Sequence, residues 1–268
     1  MTTVDLEAIK RRQQQMWSAG DYSAVGSGFV LLSELMCEAA DLRSGERVLD
    51  VGTGAGNGAI AAARRFCDVV GIDYVPALLD RARRRADAEG LSVTFQEGDA
   101  ENIPFPDESF DVVLSVIGAM FAPNQEKTAS ELLRVCRRGG RIVMANWTPE
   151  GSVGELFRLT GRYLPPPPGV KPATLWGTET GIRKLLGQSV EIETRRREFV
   201  SRAPSSAFLV EYFAKYFGPT VKTLEALDDE AKVAFRQDFI ELGERFNRSD
   251  DGTLVLVEEY LEVIARKR

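Results

Sequence analysis

Two periodicities share this chain: short apolar runs ended by glycine or charge, and longer stretches whose apolar positions recur every three to four residues. Leu6 and Ile9 within 4–18, then Leu31, Leu32, Leu35 and Met36 within 28–41, predict two helices. Between them Gly20-Asp21-Tyr22-Ser23-Ala24-Val25-Gly26 reads as a loop. Arg47-Val48-Leu49-Asp50-Val51-Gly52 predicts a strand that runs into glycines, and the alanine-rich segment 58–66 predicts a helix. The alternation repeats with strands at 68–73, 92–97, 111–116 and 141–147, helices at 76–89 and 125–135, and a proline-containing loop at 101–109. Short apolar strands separated by helices belong to a parallel sheet covered on both faces, so a doubly wound α/β core is expected.

Past Pro149 the pattern changes. A helical piece at 153–163 leads into Pro165-Pro166-Pro167-Pro168-Gly169, which neither helix nor strand accommodates. A short helix (179–186), a strand (190–200), helices at 205–217 and 228–247, and a β-rich segment at 253–265 follow. The expected division is an N-terminal helical cover (1–44), an α/β core (45–150), and the rest of the sheet with helical lid insertions (151–268), all within one domain.

Composition narrows the function. The 268 residues are 44% apolar and 28% charged, with 34 Lys and Arg against 40 Asp and Glu, a net charge of −6. A broad surface tracking phosphates is not expected, so nucleic acid is not an expected partner. The clusters Arg83-Arg84-Arg85, Arg137-Arg138 and Arg195-Arg196-Arg197 read as solvated faces without a ligand. Histidine is absent, which excludes Ser-His-Asp hydrolases, Cys-His proteases and HExxH metallopeptidases together. Three dispersed cysteines, without a CxxC pair, suit neither a disulfide framework nor a thiolate zinc site. No apolar leader opens the chain and no run approaches the ~18 apolar residues of a membrane span. A cytoplasmic protein without a membrane span or metal is expected.

The chemistry concentrates at Val48-Leu49-Asp50-Val51-Gly52-Thr53-Gly54-Ala55-Gly56-Asn57-Gly58. Glycines at 52, 54 and 56 let the backbone turn sharply and leave no Cβ between chain and ligand. A plain strand-to-helix turn and a dinucleotide site both compete for such a match. One helix further on, strand Val69-Val70-Gly71-Ile72 ends in Asp73, whose carboxylate can accept both hydroxyls of an adenosine ribose or instead cap the next helix. After the next strand, Asp99 can accept from an adenine amino group or serve as a turn carboxylate.

Taken in order, VLDVGTGAGN, VVGID, GDAENIPFPDESFDVVLSVIGAMF and ELLRVCRRGGRIVMANW resemble the class I S-adenosylmethionine-dependent methyltransferases, in particular the small-molecule branch that includes quinone-biosynthesis enzymes. The resemblance implies a Rossmann-like seven-stranded sheet with its last strand antiparallel, strands 190–200 and 253–265 pairing at that end. It implies S-adenosyl-L-methionine as cofactor. Gly52, Gly54 and Gly56 would flank the methionyl part, with Asp50 orienting the loop and approaching the amino group. Asp73 would hold the ribose, Tyr74 would stack beside the adenine, and Asp99 and Ala100 would bind the adenine edge. Val116 and Ile117 would lie where donor meets acceptor, and Tyr22 would close over the methionyl end. Ser115-Val116-Ile117-Gly118 departs from the Asn/Asp-Pro-Pro-aromatic run of amino-directed nucleic-acid enzymes, and no Pro-Cys pair serves cytosine attack.

Methyl transfer from a sulfonium is a direct displacement, for which alignment contributes up to about 7–11 kcal/mol and a general base only about 10²–10⁴-fold. A chain without histidine therefore suffices, and no catalytic base is assigned. Aromatic walls for an aromatic, quinone-like or polyketide-type acceptor are sought among Trp17, Tyr22, Met120, Phe121, Trp147, Tyr163, Trp176, Tyr212 and Tyr216, under a lid formed by the helices after 150 and those of 205–247. Two other readings stand beside this one: an NAD(P)-dependent oxidoreductase, disfavoured by GxGxG in place of GxGxxG, and a non-catalytic cofactor-binding protein. The acceptor, the methylated atom and the oligomeric state stay open at this level.

Overall fold

A computed structural model describes residues 5–268; Met1–Val4, assigned above to the N-terminal cover, lie outside the described residues. The cover is α1 (Leu6–Ser18), α2 (Tyr22–Gly26) and α3 (Val30–Ala39). The segment 20–26, expected as a loop, is therefore largely a helical turn, because the Asp21 side chain accepts from the Ser23 amide and caps it.

The core follows as β1 (Arg47–Val51), α4 (Asn57–Ala63), β2 (Asp68–Asp73), α5 (Pro76–Ala88), β3 (Thr94–Glu97), β4 (Phe110–Val116), α6 (Gln125–Val135) and β5 (Cys136–Trp147). Past it lie α7 (Ser152–Tyr163), α8 (Glu179–Leu186), β6 (Val190–Ala203), α9 (Ser206–Tyr216), α10 (Gly218–Ala226), α11 (Asp229–Arg245) and β7 (Leu254–Lys267). The sheet order is β3-β2-β1-β4-β5-β7-β6, parallel through β5, with β7 antiparallel to both β5 and β6. The expected doubly wound, seven-stranded sheet with an antiparallel last strand is thus present. Chain order reverses between β1 and β4, which opens a crevice at the strands' carboxyl ends. Val48, Leu49, Val51, Val112, Val113 and Leu114 are fully buried there, as strands covered on both faces must be.

Two features exceed the sequence-based expectation. β6 and β7 are longer than expected: β5 ends its pairing at Trp147 opposite Tyr260, while Leu254–Glu259 continue to pair with β6, with a single bridge from Asn247 to Leu256 on the other side. This two-stranded ribbon reaches about 20 Å past the sheet edge at ~3.4 Å per residue. The helix α10, between the expected helices 205–217 and 228–247, was not expected; Pro219 occupies its first turn, where the missing N–H is harmless. Around the ribbon, Leu156, Leu159, Val210, Leu224, Phe235, Phe239 and Leu242 of α7, α9, α10 and α11 form a second apolar cluster, separate from the main core.

The N-terminal cover and these helices are locked together. Gly20 bridges Phe217, and the Asp21 amide donates to Tyr216 O at 3.0 Å. A Cβ on Gly20 would stand 2.6 Å from that carbonyl oxygen, so a side chain there would separate the two.

Candidate functional site

The loop after β1 is fixed from beneath by two buried carboxylates. Asp50 accepts from Thr53 Oγ1 at 2.6 Å and from the Ala59 amide at 2.9 Å, tying the loop to the start of α4. Asp73 accepts from the Gly54 amide and, through its other oxygen, from the Val75 amide, each at 2.9 Å. Burial pushes each of these carboxyls up to about 6. Asp73 thus braces the turn before α5 without capping the helix, whose N-cap is Val75, and still lines the crevice with acceptor capacity to spare. Gly52, Gly54 and Gly56 all have positive φ, at 69°, 54° and 87°. A Cβ on Gly52 would lie 2.8 Å from Gly118 Cα, so the loop and the turn after β4 pack backbone against backbone.

Arg85 corrects the reading of its cluster. Its guanidinium donates to Ala55 O and Asn57 Oδ1 at 2.5 and 2.7 Å, bracing the glycine loop from α5 in place of facing solvent. Arg195 and Arg197 pair with Glu262, Arg196 with Glu259 and Glu150, and Arg137 and Arg138 with Asp111 and Glu108.

After β3, Asp99 does not stand free. Lys10 of α1 places its ammonium 2.6 Å from Asp99 Oδ2 and 2.8 Å from Glu101 Oε2. Burial works against that charge, yet the two carboxylates hold the ammonium up to about 12. From the same helix Gln14 donates to Tyr74 O and Gln13 to Phe121 O. Lys10 and Gln13 line the crevice with Tyr74, Asp99 and Ala100, and both were missed in the sequence. The available signal was the polarity of α1: a helix with few apolar anchors and a run of glutamines has little to bury except hydrogen bonds.

At the end of β4, Ser115 donates to Val51 O at 2.7 Å and accepts from the Ala119 amide at 2.8 Å. Between them Ile117 adopts φ 55°, unusual for a β-branched residue, and its amide donates to Ala145 O at 3.0 Å. Val116, Ile117 and Gly118 thus form one wall of a cleft of about 1080 Å³, mouth included, whose floor is the glycine loop.

A second chamber of about 700 Å³, its open mouth included, adjoins the cleft, sharing Trp17, Tyr22, Phe29, Ile117 and Phe121 with it. Its other walls are Trp147, Phe157, Phe213, Phe217, Phe239 and aliphatic residues of α7, α9, α11 and β7. Trp17 meets Tyr22, Phe121 and Phe217 edge to face at 5.5, 5.1 and 5.9 Å. Burial, with Asp73 and Glu258 adding negative charge, pushes the Tyr22 hydroxyl up to about 12, so it stays a neutral wall between the chambers. Of the aromatic walls sought, Trp17, Tyr22, Phe121 and Trp147 are here. Met120 and Trp176 are fully buried in the main core, Tyr163 packs on Phe235 and donates to Asp238, and Tyr212 and Tyr216 line neither space. Glu258 of β7 is the chamber's one ionisable group besides Tyr22.

Among the described residues no cluster of three or more His, Cys, Asp or Glu could hold a metal ion, and no helix is long and apolar enough to cross a membrane.

Comparison with known proteins agrees with this geometry. The family described as a methyltransferase domain matches residues 49–144. An uncharacterized protein of Mycobacterium tuberculosis is 38% identical over 271 residues, covering 99% of this chain and 97% of its own. The demethylmenaquinone methyltransferase of Thermus thermophilus is 32% identical over 213 residues, 74% of this chain and 95% of that one. Among solved structures, the YcgJ protein of Bacillus subtilis superposes with a TM-score of 0.61 at 22% identity, over 88% of this chain and 97% of that one, a likeness of fold alone.

Proposed function

The chain belongs to the class I S-adenosylmethionine-dependent methyltransferases, with S-adenosyl-L-methionine as cofactor, and from that premise we propose that it methylates a ring-bearing, lipophilic small molecule held in the apolar chamber. The observation that carries this reading is the pair of adjoining spaces: a cleft on the glycine loop bordered by Asp50, Asp73 and Asp99, and an aromatic chamber behind Tyr22 and Ile117. The nicotinamide alternative gives way to the family membership.

The cleft's residues fit the cofactor. Gly52 and Gly54 line the cleft without side chains, whereas Gly56, expected beside them, lies behind the loop against Ala82, Phe95 and Ile60; Asp73, with lone pairs beyond those given to the Gly54 and Val75 amides, suits the ribose hydroxyls. Asp50 would orient the loop, Tyr74 would stack beside the adenine, and Ala100 with Asp99 would border its edge, Lys10 holding Asp99 in place. Val116 would stand at the junction with the acceptor, and Tyr22 would close over the methionyl end. When bound, the cofactor supplies an activated methyl group on a sulfonium. The chain supplies alignment and exclusion of water: α1 and α2 over the cleft, and α7, α9 and α11 over the chamber. We read 5–44 as the cover, 45–150 as the cofactor-binding part and 151–268 as the lid-bearing remainder of one domain. The three cysteines are free and buried, which suits a reducing compartment such as the cytoplasm.

Transfer of radiolabelled methyl groups to acceptors graded by apolar ring area, from phenol through naphthol to a naphthoquinol, with charged aliphatic amines alongside, tests the proposal. Turnover is expected to rise with ring area and to be negligible for the amines. The reverse order would refute the chamber as acceptor site, and bound cofactor without transfer to any acceptor would favour a non-catalytic binding protein.

A further inference from the structure

Strand β7 carries two buried glutamates on one face, four residues apart, in contrasting surroundings. Leu254, Leu256, Glu258, Tyr260 and Glu262 alternate inward. Glu262 is met by Arg195 at 3.6 Å and Arg197 at 3.4 Å from β6. Glu258 is 4% exposed and has no Lys or Arg within 4 Å among the described residues. Its Oε1 accepts from Ser201 Oγ at 2.9 Å, while Oε2 is buried and has no partner among the described residues.

The surroundings offer Oε2 nothing else. Phe199 of β6 lies directly opposite in register, and Ser152 of α7 commits its hydroxyl to Val257 O. From α11 come Phe239, Leu242 and Gly243, and from α9 Leu209 and Phe213, all apolar. Tyr22 of α2 is the one other titratable side chain lining the chamber. A buried carboxyl without a partner destabilises the fold, and an apolar residue at this inward position would pack without that penalty. Glu258 is also the one carboxylate that lines the apolar chamber.

We propose that Glu258 is a catalytic residue, the base that takes the proton from a hydroxyl on an apolar ring as that oxygen is methylated. This rests on the reading of the chamber as the acceptor site. The acceptor's O–H proton passes to the Glu258 carboxylate; the O–CH3 bond forms as the S–CH3 bond breaks, its electron pair returning to sulfur, and S-adenosylhomocysteine and the methyl ether leave. Glu258 then releases its proton to water. Neutral phenols hold their proton at neutral pH, and an apolar chamber would not stabilise a bare phenolate ahead of transfer. Burial sets the Glu258 carboxyl at about 7, with Ser201 opposing that rise, which poises it to accept a proton near neutrality.

The test uses 1-naphthol and its methyl ether, 1-methoxynaphthalene, with the full chain saturated with S-adenosylhomocysteine. Binding is followed by the fluorescence of Trp17 and Trp147 in the chamber wall. The wild type is expected to bind the naphthol at least tenfold more tightly than the ether, and Glu258→Leu to lose that preference. In turnover with S-adenosylmethionine and 1-naphthol, Glu258→Gln is expected to lower kcat by about 10²–10⁴-fold with cofactor affinity unchanged. It should also abolish the rise in kcat/KM through pH 7, and Glu258→Asp should restore part of the rate. Equal binding of naphthol and ether by the wild type, or unimpaired turnover in Glu258→Gln, would overturn the role of Glu258 while leaving the chamber as acceptor site. If the cofactor binds but neither naphthalene does, the chamber reading fails and the base fails with it.

Discussion

The glycine-loop cleft and the apolar chamber share a wall but are assembled from different materials. The cleft is made chiefly of strand ends and the turns that follow them, from the segments 50–58, 73–74, 98–100 and 116–119, with Asp50, Asp73 and Asp99 among the residues that border it. The chamber is made of side chains delivered by α1, α2, α7, α9, α11, β5 and β7, elements that meet only once the lid is packed on the ribbon. The first is local geometry repeated at the carboxyl edge of a parallel sheet. The second is a packing solution. A shared cofactor can therefore accompany an acceptor site particular to this chain, since lid side chains change without disturbing the turns beneath.

The largest expected effect separates the two spaces. Asp73→Ala should weaken S-adenosylmethionine binding by a hundredfold or more, on the order of 3 kcal/mol for two lost charged hydrogen bonds, while naphthol still binds. Calorimetry with both ligands checks it, and equal losses for both would mean that the spaces do not act separately.

The next effect probes the chamber through pH. Burial raises Glu258 from its ordinary value of 4.5 to about 7, so the folded state binds its proton more tightly than the unfolded chain does. The resulting stabilisation is whole below pH 4.5 and is lost as pH rises through 7. Glu258→Gln is accordingly expected to exceed the wild type by up to about 3 kcal/mol at pH 8 and to match it near pH 4, as read from denaturant midpoints. Asp50 and Asp73, each raised to about 6, lower the stability of both proteins alike over pH 4–6 and so drop out of the difference. A difference independent of pH would break the account.

Gly52→Ala acts on the cleft alone. With φ at +69° and its new Cβ 2.8 Å from Gly118 Cα, the variant is expected to lose about 1–3 kcal/mol, a few degrees in Tm, together with cofactor affinity. Lys10→Ala should have the smallest effect, about fivefold weaker cofactor binding, near 1 kcal/mol, because it releases Asp99 and Glu101 and unpins α1. Tighter binding in this variant would show that Lys10 competes with the ligand for Asp99.

How much was legible in the sequence follows the same division. Strands β1, β2 and β4 stood out as apolar runs because both of their faces are buried, and α6 and α8 began and ended where they were expected, at 125–135 and 179–186. The glycine loop was legible because left-handed backbone needs glycine whatever surrounds it. Lys10 was missed because a lysine on a polar helix looks solvated until the two carboxylates after β3 are brought to it. Trp176 was misjudged for the opposite reason: an aromatic residue beside a proline run can enter the core or a pocket, and the sequence does not say which.

The order of strand, glycine turn and acidic strand end, and with it the cofactor cleft, was determined by the sequence alone, because φ, apolar runs and turn chemistry are local properties of the chain. Which residues enclose the apolar chamber was decided by tertiary structure. The two inward glutamates of β7 are alike in sequence, yet register gives one a pair of arginines and the other an apolar chamber, since a strand's neighbours come from distant segments.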